Sequence, residues 1–220
     1  ILTQLQKSGE LARQYHLRLT MHPDQFVVLN SLSAKVVANS VKEIEYHAFL
    51  ADLLGIDVIN IHAGGVYNDK QSALKRLQEN LALLSASARK KITLENDDKN
   101  YAPKDLLALC NKWQIPFVYD VHHHRCLPDS LTEEEVSLKA VKTWNREPLF
   151  HMSSPAQGWW GKRPQEHAGY IDVADFPLVW QKIPQLTVEV EAKNKELAIA
   201  RLIQDLQKEG VKILNPVLGK

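Results

Sequence analysis

The chain has 220 residues, of which 45% are apolar and 24% charged, a composition typical of a soluble globular protein. Two cysteines are too few for a disulfide framework, and no apolar run approaches the roughly 20 residues that a transmembrane helix requires. The formal net charge of +1 neither demands nor excludes a nucleic-acid partner, because bound divalent cations would add positive charge at a site.

Six short apolar runs alternate with amphipathic segments along the chain, and we predict that these runs are β-strands. They cover 17–21, 57–61, 91–94, 116–121, 148–152 and 186–191. Between them, apolar residues recur at spacings of three and four, most clearly in 37–51 and 74–88, which predicts amphipathic helices.

Local signals mark where several of the helices begin and end. Pro103 suits the first position of a helix, and Thr132 with Glu135 forms a capping box. Asn194 can cap a last helix, which Gly210 is expected to end.

Strands that alternate with helices at this spacing predict parallel strands joined by crossover helices. A doubly wound open sheet and a closed barrel both fit the pattern. Because the chain has no linker, low-complexity tract or internal repeat, residues 1–220 are interpreted as a single domain. The chain lacks an initiator Met and starts in a predicted helix, so we expect it to be an N-terminally truncated fragment of that domain.

Every predicted strand delivers a side chain that can bind a metal near its carboxyl end, where α/β barrels build their active sites. These residues are His22, His62, Glu95, Asp120, His151 and Glu191. A single strand-end histidine is more often structural, but six strands in succession are harder to explain in that way. If these groups converge without a cation, several repelling or unsatisfied groups are buried, so the pattern predicts a metal centre.

Mixed histidine and carboxylate ligands suit Zn²⁺, Mn²⁺ or Fe²⁺ better than Ca²⁺, which prefers oxygen ligands. Adjacent cations of this kind can activate a water and hold a phosphodiester, which predicts phosphodiester hydrolysis. The other common task of a multi-metal barrel is isomerisation or epimerisation of a sugar.

Six segments that contain these residues resemble the UV damage endonuclease family. They are 21–26, 61–67, 94–98, 119–123, 150–154 and 191–196, and the resemblance extends from about residue 18 to residue 200. It implies an α/β fold of the TIM-type (β/α) barrel, similar to endonuclease IV, from which this chain lacks about the first two βα units.

The resemblance also implies up to three divalent cations, with Mn²⁺ expected and Zn²⁺ as the alternative. The implied ligands are His22, His62 and Glu95 for one cation, Glu95, Asp120, His151 and Glu191 for a second, and His123 and His167 for a third. The implied catalytic residues are Glu95, Asp120 and Glu191.

Some neighbouring residues leave alternatives open around these ligands. His122 and His124 flank His123 and compete for its role. Gln165 stands where endonuclease IV has an aspartate, so Glu166 or water would complete the third site.

The same family probes damaged duplex DNA with side chains from the loop that follows the first strand present here. Gln25 and Phe26 occupy those positions, and an amide with an aromatic ring suits the gap that displaced bases leave. The alternative is that Phe26 is a core residue of the loop.

A long loop after the fifth strand carries further candidates for DNA contact. Lys162 and Arg163 are predicted to contact phosphates, although each could be an ordinary surface charge. Trp159 and Trp160 could stack on bases or pack the loop against the barrel, and the sequence does not choose between these roles.

The resemblance therefore implies a DNA repair endonuclease that nicks UV-damaged duplex DNA on the 5′ side of the lesion by metal-dependent phosphodiester hydrolysis. We expect damaged double-stranded DNA as the partner, no membrane partner, a monomer, and a cytoplasmic location that is nucleoid-associated in a prokaryote. The alternatives are a metal-dependent sugar isomerase or epimerase and a catalytically impaired module that only binds damaged DNA.

Overall fold

A computed structural model describes residues 1–214, which form two compact units, residues 1–95 and residues 96–214. The end of the predicted domain, 215–220, lies outside the described residues. Each unit contains three parallel strands with helices between them. That residues 1–220 form a single domain stays a prediction.

The first unit places β1 beside β2 and β2 beside β3, all parallel. Its elements are α1 (Leu2–Gln14), β1 (Thr20–Met21), α2 (Ala34–Leu54), β2 (Val58–His62), α3 (Lys70–Leu81), α4 (Ala86–Lys91) and β3 (Ile92–Glu95). The residues of β2 and β3 are almost all buried, as expected for parallel strands that helices cover.

The second unit repeats this arrangement, with β4 beside β5 and β5 beside β6, again parallel. Its elements are α5 (Pro103–Trp113), β4 (Phe117–Asp120), α6 (Val121–Cys126), α7 (Glu133–Val141), β5 (Leu149–Met152), β6 (Thr187–Val190) and α8 (Lys195–Lys208). A long segment, 153–186, joins β5 to β6 and contains two short 3-10 turns, Val173–Asp175 and Leu178–Lys182.

All six predicted strands are confirmed to within a few residues, and so is their parallel pairing within each unit. Pro103 begins α5 as predicted. The capping box is also confirmed, because Thr132 accepts a hydrogen bond from the backbone of Glu135 while the Glu135 carboxylate accepts one from Thr132.

Two helix predictions need correction. The apolar pattern over 74–88 belongs to two helices, because Ser85 accepts a hydrogen bond from the backbone N–H of Ala88 and starts α4. Asn194 does occupy the cap position of α8, but its side chain makes no capping hydrogen bond. Gly210 has a φ of 76° and lies just beyond the end of this helix, as predicted.

None of the described helices combines the length and apolar character that crossing a bilayer requires. The second helix, α2, is instead an element of the core of its unit, and it buries Ile44, Ala48 and Ala51.

A close contact between α1 and the end of α2 depends on one glycine that the apolar periodicity does not reveal. Gly9 is buried in α1, and a Cβ atom at this position would lie 2.6 Å from the carbonyl oxygen of Leu54 and 2.9 Å from its Cα. The two helix backbones can approach this closely only where no side chain separates them.

We expect Gly9→Ala to lower the free energy of unfolding by roughly 1–3 kcal/mol, because the added methyl group would clash with the backbone of Leu54, which cannot change rotamer as a side chain can. In an exposed helix the same change would stabilise the protein by up to about 1 kcal/mol. Urea denaturation measures the difference, with Ser8→Ala as the control at the adjacent exposed position. A stability of Gly9→Ala equal to or above that of the wild type would contradict this packing.

Candidate metal centre

In the first unit, three predicted ligands meet at the carboxyl ends of the strands. His22 follows β1, His62 ends β2 and Glu95 ends β3. The Nε2 atoms of His22 and His62 lie 3.1 Å and 3.9 Å from the same carboxylate oxygen, Oε2 of Glu95. We call these three residues the first cluster.

The position of His22 bears directly on whether a cation fits here. Its Nδ1 lies 3.1 Å from the carbonyl oxygen of Pro23 and donates to it, so the Nε2 of a neutral ring presents a lone pair to Glu95. Two acceptors at this distance repel each other unless a second proton or a cation lies between them. The donor set of the first cluster, two imidazoles and one carboxylate, therefore fits a divalent metal ion.

The carboxylate of Glu95 is fully buried and is oriented by two polar side chains that the sequence interpretation missed. The amide of Asn60 donates a hydrogen bond to Oε2 of Glu95, and Thr93 donates at 2.9 Å to the amide oxygen of Asn60. Asn60 and Thr93 stand two residues before His62 and Glu95, and side chains two apart on a strand share a face. This spacing is the signal that could have identified them.

In the second unit, five predicted ligands form the second cluster: Asp120, His123, His151, His167 and Glu191. Glu191 approaches two imidazoles, with its Oε1 3.4 Å from Nδ1 of His151 and its Oε2 3.6 Å from Nδ1 of His167. Asp120 is aligned with His151 on the neighbouring strand. The structure thus brings together all the ligands predicted within this unit.

Asp120 ends β4 and at the same time caps α6, which explains how it serves the same cluster as His123. One of its oxygens accepts a hydrogen bond from the backbone N–H of His123 at 2.8 Å, while the other lies 3.4 Å from Nδ1 of that ring. The side chain of Asn96 exchanges two hydrogen bonds with the backbone of Asp120, at 2.8 and 3.0 Å. The observed strand β4 therefore ends at Asp120, one residue before the end of the predicted strand, 116–121.

His123 also has the tautomer that a metal ligand needs. Its Nδ1 lies 2.9 Å from the carbonyl oxygen of Asn96 and donates to it, which puts the lone pair of a neutral ring on Nε2. Asp120 is fully buried, and within residues 1–214 no hydrogen bond reaches its Oδ2. A buried carboxylate oxygen of this kind, beside an imidazole, is suited to a cation.

His151 has carboxylates on both sides of its ring. Nε2 lies 2.8 Å from Glu189 and Nδ1 lies 3.4 Å from Glu191, so a proton or a cation is required on each side. Glu189 is aligned with His151 across β5 and β6, and it stands two residues before Glu191. It is placed to orient the imidazole rather than to compete for a metal ion.

Two further histidines adjoin the second cluster. His124 is buried against the hydroxyl of Tyr119, at 2.8 Å, and its Nε2 lies 3.4 Å from Asp129, so it has a structural position. Burial lowers the pKa of His124 and, separately, that of His122, so both favour the neutral form. The His122 ring centroid lies 5.1 Å from that of His167, which keeps His122 as an alternative ligand.

The predicted probing residues lie on the turn after β1. Phe26 is 76% exposed, and its backbone N–H donates to Asp24 at 2.9 Å. The alternative that Phe26 is a core residue is therefore wrong. Gln25 and Phe26 line an open groove of about 660 Å³ to which Tyr67 also contributes.

The basic residues predicted to contact phosphates differ in their surroundings. Lys162 is exposed, whereas Arg163 forms an ion pair with Glu166 at 2.6 Å. Arg125, in α6, is paired with Glu133 at 2.7 Å and with Asp175 at 3.3 Å. Lys162 is therefore the stronger phosphate candidate of the loop.

Comparison with known proteins adds family and fold to this geometry. A family model described as UV-endonuclease UvdE matches residues 1–218. A UV DNA damage endonuclease of Bacillus velezensis is 38% identical over 218 residues, which cover 94% of this chain and 67% of that protein. The chain spans about two thirds of the length of the curated relatives it matches.

Solved structures share the fold. The crystal structure of SacUVDE superposes with a TM-score of 0.87 at 30% identity, covering 96% of this chain and 72% of that one. Endonuclease IV from Thermus thermophilus gives 0.69 at 16% identity, covering 94% and 81%. D-psicose 3-epimerase from Clostridium cellulolyticum gives 0.68 at 13% identity, covering 97% and 85%. The predicted α/β fold of the (β/α)-barrel type is confirmed.

We expect Mn²⁺ or Zn²⁺, added to protein that has been stripped with a chelator, to raise Tm by roughly 5–10 °C at a hundredfold excess over Kd. Glu95→Gln should reduce this shift, because it removes the charge that two imidazoles face. Differential scanning calorimetry measures both, with Glu10→Gln on the exposed side of α1 as the matched control. An unchanged Tm of the wild type with either ion would contradict metal binding at these clusters.

Proposed function

Because this chain belongs to the UV-endonuclease UvdE family, we propose that it is a metal-dependent endonuclease that nicks UV-damaged duplex DNA 5′ to the lesion. The observation that carries the proposal is the first cluster, in which His22 and His62 face one oxygen of the buried Glu95. A purely structural carboxylate does not need two imidazoles directed at one oxygen from two other strands. The family resemblance seen in the sequence is confirmed by the comparisons.

Divalent cations, up to three per chain, are the cofactors in this proposal, with Mn²⁺ as the native ion and Zn²⁺ as the alternative. Bound in such clusters, they would supply a water of lowered pKa and stabilise the charge of the departing 3′ oxygen. The ligands are the residues of the first and second clusters: His22, His62, Glu95, Asp120, His123, His151, His167 and Glu191.

The protein's own contribution is to hold these groups in place before the substrate arrives. Glu95, Asp120 and Glu191 are the proposed catalytic carboxylates. Asn60 fixes the orientation of Glu95, and Glu189 fixes that of His151, so little reorganisation is needed during the reaction.

Recognition of the lesion is assigned to the turn that carries Gln25 and Phe26. Phe26 presents its ring to solvent from a turn that the hydrogen bond to Asp24 stabilises. A stacked helix of bases weakened by a photoproduct offers a gap that an aromatic ring and an amide can enter. Lys162 and Arg163 are proposed to contact phosphates.

The binding partner and the cellular location of the protein are proposed from the substrate. Damaged double-stranded DNA is the partner, and the cytoplasm, at the nucleoid of a prokaryote, is where a chromosome-repairing enzyme would act. The alternative of a sugar isomerase or epimerase is supported only by structural similarity to proteins such as the 13% identical epimerase, and similarity at that identity concerns the fold alone. The family match favours the endonuclease.

We expect Glu95→Gln to reduce Mn²⁺-dependent nicking of UV-irradiated supercoiled plasmid by roughly 100-fold or more, because the first cluster loses its only carboxylate. Conversion of supercoiled to open-circular DNA on a gel measures the rate. Glu10→Gln is the control and should nick at the wild-type rate. A chelator should abolish nicking by the wild type and by Glu10→Gln.

Three results would contradict this assignment in distinguishable ways. Wild-type protein that binds damaged duplex but never nicks it would indicate the damage-binding module. Absence of any DNA affinity, with sugar epimerisation instead, would indicate the epimerase. Nicking by Glu95→Gln at the wild-type rate would show that the carboxylate of Glu95 is not needed for catalysis.

We expect Phe26→Ala to weaken binding to UV-damaged duplex by about 1–3 kcal/mol, the energy of one stacked base, and to change binding to undamaged duplex much less. Fluorescence anisotropy with labelled oligonucleotides measures both affinities. Leu32→Ala, which removes another exposed apolar side chain of the same unit, is the control. Equal losses on damaged and undamaged DNA would argue against a probing role.

A further inference from the structure

Two adjacent tryptophans in the segment after β5 have opposite environments. The indole N–H of Trp159 donates a hydrogen bond to Asp175 at 2.8 Å, so this side chain packs the loop. Trp160 is 101% exposed. The large aromatic surface of Trp160 therefore stays in water, although a neighbouring residue of the same type is packed and hydrogen-bonded.

The loop that carries both tryptophans is closed at its base. Pro155 and His167 form an isolated antiparallel bridge, and the backbone N–H of Ala156 donates to the carbonyl oxygen of Glu166 at 2.6 Å. We call residues 155–167 the tryptophan loop. Its base thus contains a predicted metal ligand, His167, and its outer part contains Trp160.

The tryptophan loop is held in place through Asp175, which is itself buried. Asp175 accepts hydrogen bonds from Trp159, Ser154 and Arg125. The guanidinium of Arg125 also lies 5.5 Å from the centre of the Trp159 ring and is fixed by two hydrogen bonds to Glu133. Trp160 is therefore presented by an ordered loop, so a ligand that covers it incurs little ordering cost.

A short series of ring contacts links this loop to the second cluster. The Trp159 ring centroid lies 5.1 Å from that of His122, which lies 5.1 Å from that of His167. The Cα atom of Trp160 lies about 3.8 Å from that of Trp159, because the two residues are consecutive. A DNA strand whose phosphodiester is bound at the second cluster would pass beside the tryptophan loop.

The charges near Trp160 fit a polyanion. Lys162 follows two residues later and is exposed, whereas Arg163 is paired with Glu166. An aromatic ring beside a lysine, on a loop that borders the second cluster, is a combination that suits nucleic-acid strands, which bind by stacking and by charge.

We propose that Trp160 is a DNA-binding residue, which stacks on a base or sugar next to the phosphodiester bound at the second cluster, with Lys162 on a neighbouring phosphate. The inference rests on the proposed function and deepens it by assigning a second aromatic contact, separate from Phe26. Stacking does not depend on a lesion, so Trp160 contributes to the affinity for damaged and undamaged duplex alike.

The test is the affinity of the full chain, loaded with Mn²⁺, for labelled duplex oligonucleotides with and without a UV photoproduct. The linkage 5′ to the photoproduct is a phosphorothioate, which slows nicking, and fluorescence anisotropy measures binding. Trp160→Ala should raise Kd roughly 5- to 150-fold for both duplexes, and Trp160→Phe should recover most of the loss. Leu178→Ala, which removes another exposed apolar side chain of the second unit, is the matched control and should leave Kd unchanged.

The outcomes separate this inference from the function on which it rests. If wild-type protein binds duplex and Trp160→Ala binds equally well, the role of Trp160 is overturned while the endonuclease assignment stands. If wild-type protein binds neither duplex, both are overturned. If Trp160→Ala changes self-association of the chain in analytical ultracentrifugation and leaves Kd unchanged, the ring serves a protein contact and the inference is wrong.

Discussion

Carboxylates buried at the ends of parallel strands impose the constraint on which the site depends. Glu95 and Asp120 are fully buried, and removal of a charged carboxylate from water costs several kcal/mol unless its surroundings replace the lost hydration. In the first cluster the amide of Asn60 donates a hydrogen bond to Glu95, and in the second the backbone N–H of His123 donates one to Asp120. A divalent cation shared by these groups would offset the remaining cost, so the burial and the types of these side chains fit the proposed metal centre.

The parallel strand register converts this constraint into geometry. His62 is aligned with Glu95, and one layer deeper Asn60 is aligned with Thr93. The second unit uses the same rule, since His151 is aligned with Glu189. Because side chains two residues apart share a face of a strand, ligands at the strand ends lie above a layer of residues that orient them. Ligand and support are thus set by one register, and a shift by one residue would disrupt both.

Each unit also combines a rigid ligand cluster with an exposed aromatic side chain on a loop. In the first unit Phe26 follows His22 by four residues on a turn that Asp24 stabilises. In the second unit Trp160 lies on the loop whose base contains His167. Loops positioned by a rigid scaffold often carry binding residues, and both units place an exposed aromatic side chain on such a loop. Their loops differ in how they are held, by a local turn in one and by the buried Asp175 in the other.

The sequence by itself determined the strands and six of the eight candidate ligands, because an apolar run that ends in a His, Asp or Glu is a local pattern that needs no knowledge of distant residues. His123 and His167 follow from the family resemblance alone. Tertiary structure alone decided which partner each group meets: that Asn60 orients Glu95, and that Trp159 is packed while Trp160 is exposed. It also decided that the backbone at Gly9 approaches Leu54. These contacts join residues far apart in the chain, and they arise from strand register and helix packing, for which the local periodicity of apolar residues carries no signal.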